Sequence, residues 1–188
     1  MEIKEYIKKS IEVKNVILSS EDLICAIRDA ANIIIDAYKN NKKVLIAGNG
    51  GSASDSNHLA AEFVSKFLMK RDALCAISLS SNQSVITAIA NDDDFKNIFS
   101  RQIEALGNND DILIAISTSG KSPNIIEALK KAKEKNLKTI FLTSGNADFE
   151  ADCLIKVPSA QTSIIQEAHI MIEHIICAIV EEALFKKV

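Results

Sequence analysis

The chain has 188 residues, 22 Lys and Arg against 25 Asp and Glu, a formal net charge of −3 and only 5% aromatic residues. That length suits one domain, residues 1–188, with a sizeable core. The balance excludes a nucleic-acid binder, which needs a basic patch with stacking rings.

No apolar run reaches the roughly 18 residues of a membrane span. Glu2, Lys4, Glu5, Lys8 and Lys9 make the opening segment unlike a secretory signal. Cys25, Cys75, Cys153 and Cys177 form no CxxC pair and, apart from Asp152 before Cys153, have apolar chain neighbours. Buried free thiols in a reducing, cytoplasmic protein are expected.

Ile3, Tyr6, Ile7 and Ile11 carry helical spacing over residues 2–18. Ser20 is placed to cap a second helix running to Asn40, with Glu21 and Asp22 in its first turn. Five short apolar runs follow, at 44–47, 74–79, 111–116, 138–143 and 153–157. Buried runs alternating with helical patterns predict a parallel sheet covered on both faces. The fold class expected is therefore α/β, a three-layer αβα sandwich around a doubly wound, five-stranded parallel sheet. In such a fold ligands bind beyond the carboxyl ends of the strands, near the point where strand order reverses.

The first run ends in Gly48-Asn49-Gly50-Gly51-Ser52, and a helical stretch carrying His58 and Glu62 follows. Glycines admit a ligand close to the backbone, and a new helix aims N–H groups and its positive dipole end at that place. An anion site, most often for phosphate, is expected there. His58 and Glu62, four residues apart, share one helix face about a turn farther on.

The third run ends in Ser117-Thr118-Ser119-Gly120-Lys121-Ser122-Pro123, a second cradle of hydroxyls and N–H groups, with Pro123 suited to a first helical position. Ala115 to Ser122 is a poor nucleotide-binding P-loop, because alanine stands where the wrapping glycine belongs. Gly48-x-Gly50-x-x-Ala53 approximates a dinucleotide fingerprint, but Ser80-Ser81 follows the second run where an acid would hold ribose.

The last helix, about 162–186, is apolar nearly all round, which predicts burial against the first two helices and between subunits. It also carries Gln166, His169 and His174, costly to bury unless satisfied. On an ideal helix Gln166 lies roughly 60° from His169 and roughly 80° from His174, so spacing leaves both histidines open as its companion.

Together, Gly48–Ser52, His58 with Glu62, Asn91-Asp92 with Phe95, Ser117–Gly120 with Ser122, and Gln166-Glu167 with His169 and His174 resemble the sugar isomerase (SIS) family, and most closely its phosphoheptose isomerases. The resemblance spans nearly the whole chain and implies a flavodoxin-like strand order. It implies conversion of D-sedoheptulose 7-phosphate to D-glycero-D-manno-heptose 7-phosphate through a cis-enediol, feeding bacterial surface polysaccharide in the lipopolysaccharide core or capsule.

By the same resemblance Asn49, Gly50, Gly51, Ser52, Asn91, Asp92, Ser117, Thr118, Ser119 and Ser122 hold the sugar phosphate, with Glu62 and Gln166 also meeting substrate. Glu62 is the implied base and His174 its partner acid, which suits a reaction needing a carboxylate for the carbon-bound proton and an acid for the oxygens. His58, Glu62, Gln166 and His174 are the implied ligands of one zinc ion per subunit, and His169 is left a structural role.

A cytoplasmic homotetramer is implied, with residues 1–40 as a helical pair packing in the oligomer. Two departures stand out. Ile164 replaces a common arginine, and Lys121 stands where asparagine is frequent. The alternative is a non-catalytic SIS protein that binds sugar phosphates or a replication initiator; the initiator-binding relative lacks a carboxylate at the Glu62 position.

Overall fold

The computed structural model describes residues 2–145, 147 and 149–186. Strands β1 (Val44–Gly48), β2 (Ala76–Ser78), β3 (Ile112–Ile116), β4 (Lys138–Ser144) and β5 (Cys153–Val157) pair in parallel, in the order β2-β1-β3-β4-β5. This is the flavodoxin-like order expected.

Its cause is visible in the side chains. Successive residues point to opposite faces of a sheet. Val44, Ile46, Ile112, Ile114, Ile140 and Leu142 enter one core, while Leu45, Ala47, Leu113, Ala115 and Phe141 enter the other. Both faces are thus apolar, and both must be covered.

Helices α2 (Glu21–Lys39), α3 (Gly51–Val64) and α7 (Thr162–Phe185) cover the first face. Helices α4 (Gln83–Asp92), α5 (Ser100–Leu106) and α6 (Pro123–Glu134), with a 3-10 turn at Phe95–Asn97, cover the second. Ser20 Oγ accepts from Leu23 N at 3.3 Å, capping α2 as its residue type requires.

Helix α1 (Ile3–Ser19) lies outside, against α2 and α7, and buries only Ser10 and Ile17. Its apolar stripe stays uncovered by the chain itself: Ile3 is 77% and Leu18 73% exposed, with Ile7 and Ile11 half exposed between them.

Two expectations need correction. Cys153 and Cys177 are buried, but Cys25 and Cys75 are exposed. Chain neighbours do not share a helix face: Ile24 and Ala26 flank Cys25 in sequence, whereas Glu21, Asp22, Arg28 and Asp29, three and four residues away, share its exposed side. The second strand is also shorter than its apolar run, because Leu74 leaves the sheet to bond Phe63 O through its N–H.

β1 sits between β2 and β3, so chain direction across the sheet reverses there. Gly48 and Ile116 are register partners at the ends of these two strands. The turns that follow them, Gly48–Ser52 and Ser117–Ser122, therefore leave the sheet side by side.

Candidate active site

Both turns lead into helices that no side chain caps. Gly50 precedes α3 with φ 55°, a left-handed conformation that favours glycine. Ser122 precedes α6 but makes no capping bond; its hydroxyl stands 3.3 Å from Ser117 Oγ instead. Within the second turn, Gly120 N donates to Ser117 Oγ and Lys121 N to Ser119 Oγ, each at 3.2 Å.

The start of α3 and the turn before α6 thus border one place, with the hydroxyls of Ser52, Ser117, Thr118 and Ser122 around it. They border a cleft of roughly 280 Å³ lined by Asn49, Gly50, Gly51, Ser52, Ile116, Ser117, Thr118, Ser122, Thr162 and Gln166. Ser119 and Lys121 lie in an adjoining hollow shared with Thr118 and Thr162.

Asn124 was not foreseen. Its amide exchanges two 2.8 Å hydrogen bonds with that of Asn49, lashing the first turn to the start of α6. The sequence motif stops at Ser122, two residues short of it, and an asparagine inside a helix carries no signal of its own.

Beyond the cleft, α3 and α7 bring His58, Glu62 and His174 together. His58 Nε2 lies 2.9 Å from His174 Nε2 and 3.5 Å from Glu62 Oε1. The Phe67 ring stacks on His174 with centroids 5.4 Å apart. Gln166, on α7, lines the cleft, and its amide lies where a Cβ on Gly51 would stand.

His169 faces the other way. It is fully buried, its Nε2 meets Thr143 O at 3.2 Å, and burial pushes its pKa down to about 4. It is a neutral core residue, in keeping with the structural role implied for it.

Asn91 and Asp92 are not brought to the cleft. They end α4 exposed, with Asn91 Nδ2 donating to Asp92 Oδ1 at 2.7 Å. Asp94, Phe95 and Lys96 approach instead, sharing a hollow with Asn49, Ser122 and Asn124.

A second unforeseen group lies behind His174. Glu173 is fully buried; among the described residues neither of its carboxyl oxygens, nor Asp55 Oδ2 on α3, has a hydrogen-bond partner. Burial, and then the Asp55 charge, push the Glu173 carboxyl up to about 8. In the sequence it was only one interruption of an apolar run.

Two imidazoles, a carboxylate and an amide oxygen are a donor set suited to zinc in kind. In arrangement the imidazoles are closed on one another. Two nitrogens bound tetrahedrally at zinc would stand roughly 3.3 Å apart, so His58 and His174 would part slightly to admit the ion. Among the described residues no group of three or more His, Cys, Asp or Glu side chains is set to hold a metal as it stands. A larger hollow of roughly 650 Å³ between α4 and α5 contains none of these residues.

Residues 5–144 match the family model described as "SIS domain". The chain is 54% identical to the phosphoheptose isomerase of Clostridium acetobutylicum over 97% of its own length and 95% of that protein's. It is 51% identical to phosphoheptose isomerase 2 of Campylobacter jejuni, over 98% and 94%. Among solved structures it resembles a phosphoheptose isomerase from Francisella tularensis, with a TM-score of 0.91 at 36% identity and 96% of each chain covered. The one from Neisseria gonorrhoeae gives 0.88 at 35% identity, over 96% of this chain and 97% of that one.

Proposed function

The chain belongs to the SIS domain family and, within it, to the phosphoheptose isomerases, and from that membership we propose how its residues interconvert D-sedoheptulose 7-phosphate and D-glycero-D-manno-heptose 7-phosphate. It is a sugar-phosphate isomerase. The observation that carries the mechanism is the meeting of His58 and Glu62 on α3 with His174 on α7, next to a cleft built from two uncapped helix starts.

The phosphate is held by the N–H groups opening α3 and those of the turn before α6, and by the hydroxyls of Ser52, Ser117, Thr118 and Ser122. The sugar then runs past Gln166 toward Glu62. Glu62 removes the proton from C1 of the ketose while His174 protonates the C2 oxygen, giving a cis-enediol. Delivery of a proton from Glu62 to C2, after exchange with solvent, and loss of the proton on the C1 oxygen give the aldose. Holding the enediol between two helices keeps the proton on one face.

His58, Glu62, Gln166 and His174 would hold a zinc ion, which supplies a Lewis acid for the substrate oxygens when bound. Ser119 borders the phosphate end from the adjoining hollow, and Asn91 and Asp92 reach substrate only by movement of the α4 end.

The uncovered stripe of α1 supports a homo-oligomer, which we take to be a tetramer. Among the described residues no helix is long and apolar enough to cross a membrane. We assign the enzyme to the cytoplasm and its product to heptose for lipopolysaccharide core or capsule.

The test is proton NMR of the purified enzyme with sedoheptulose 7-phosphate in D2O. An aldose anomeric signal with deuterium at C2, lost in Glu62→Gln, is the expected result. Binding without turnover in the unaltered protein would instead favour a regulatory SIS protein.

A further inference from the structure

Residues 65–75 join α3 to β2, and nothing in the sequence marks them. In the structure they are held by one buried ion pair. Arg71 Nε donates to Glu181 Oε1 at 2.8 Å, and the two side chains are only 2% and 1% exposed.

Each partner reaches farther. The Arg71 guanidinium also donates to Glu62 O and Phe63 O, both at 2.8 Å, and to Asp72 O at 2.9 Å. The Glu181 carboxylate accepts from Phe67 N at 3.0 Å, Leu68 N at 2.6 Å and Met69 N at 3.0 Å.

These bonds end at the reacting groups. The carbonyl of Glu62 belongs to the base itself, in the last turn of α3. Phe67, whose N–H Glu181 holds, stacks its ring on His174. His174 and Glu181 are seven residues apart on α7, hence on one face and about 10 Å apart along the axis.

A guanidinium with four of its five N–H donors engaged and a carboxylate accepting four N–H bonds form a rigid joint. We infer that Arg71 and Glu181 are positioning residues of the isomerase, fixing Glu62 on α3 against His174 on α7, with Phe67 transmitting the contact. This rests on the assignment of Glu62 and His174 as base and acid.

The joint touches no part of the phosphate cleft. Displacement of a reacting group by about 1 Å can cost about 100-fold in rate. Loosening the joint should therefore lower kcat and spare sugar-phosphate affinity.

Arg71→Lys keeps the charge, but its three N–H donors on one nitrogen cannot serve Glu181 and three carbonyls at once. Phe67→Leu leaves the ion pair intact and removes the ring, so it keeps the question answerable if Arg71→Lys fails to fold. Both are measured at temperatures well below their own Tm, for kcat, for KM, and for the His174 imidazole carbon–proton signals by NMR.

The expected result is a fall in kcat of about 10-fold or more with KM within about twofold, together with a displaced His174 signal in both variants. Folded variants with unaltered kcat and an unmoved His174 signal would overturn the inference; so would a loss of affinity equal to the loss of rate. If Glu62→Gln retains proton exchange, the base assignment itself has failed, and that outcome is separate from either variant's behaviour.

Discussion

Glu173 offers a direct test of how the interior beside His174 is built. Its carboxyl is fully buried, its oxygens have no partner, and it stays protonated to about pH 8 instead of its ordinary 4.5. Below pH 4.5 the folded and unfolded chains both carry the proton, and the group costs nothing by ionisation. As pH rises from 4.5 to about 8, the unfolded chain releases the proton and the folded one does not. Stability is lost across that window and levels off above it. At 1.36 kcal/mol per pH unit the whole interval sets an upper limit of about 5 kcal/mol. Water admitted between α3 and α7, or partial sharing of the proton with Asp55, brings the expected loss nearer 2 to 3 kcal/mol. Glu173→Gln keeps the shape and removes the titration, at a pH-independent cost of about 1 to 3 kcal/mol for an unpartnered amide. Urea unfolding at pH 5, 7 and 9, at one protein concentration and with EDTA present throughout, should therefore show two curves that converge or cross. The unaltered protein is the more stable at pH 5 and loses that advantage by pH 9. Parallel profiles would refute the argument, because they would mean that Glu173 ionises as freely in the fold as outside it.

Glycine substitutions should separate folding from catalysis within a single turn. A Cβ on Gly48 meets the backbone of Ser52, which cannot yield, so Gly48→Ala should lower Tm by several degrees in thermal unfolding. A Cβ on Gly51 meets only the Gln166 side-chain amide, which can swing aside. Gly51→Ala should keep its Tm and lose about 100-fold in kcat/KM, since Gln166 leaves the cleft. On α1, Ile7→Glu with Ile11→Glu places charge on an already exposed stripe; sedimentation velocity should show smaller assemblies while circular dichroism stays unchanged.

The sheet was legible because two of its inner strands, β1 and β3, buried on both faces, are apolar throughout. Val44–Ala47 and Ile112–Ile116 are apolar at every residue, and the turns after them announce themselves by Gly and Ser content. What escaped lies where function depends on partners distant in sequence. Arg71 answers to Glu181, 110 residues away, and Asn124 to Asn49, 75 residues away. Neither pair has a period or a composition to betray it. The Asn91-Asp92 pair rested on resemblance alone, and the structure places it outside the cleft, bonded to itself. Cys25 was misread for a different reason: a helix sorts residues by face, and adjacency along the chain says little about which face a thiol occupies.

The choice between His169 and His174 shows what folding adds to spacing. Angles of roughly 60° and roughly 80° from Gln166 cannot rank them. The two histidines are five residues apart, so they diverge by roughly 140° around α7. One must therefore turn toward the sheet when the other turns toward α3. His169 meets the carbonyl of Thr143 at the end of β4, where burial strips it of charge. His174 meets His58 across the groove and remains within reach of solvent. The docking of α7 on the sheet, driven by Ile165, Ala168, Ile172 and Ile176, makes that selection. A helix packed a third of a turn differently would present His169 to the substrate and bury His174. The register of one apolar stripe thus decides which imidazole meets His58 and which is buried against β4.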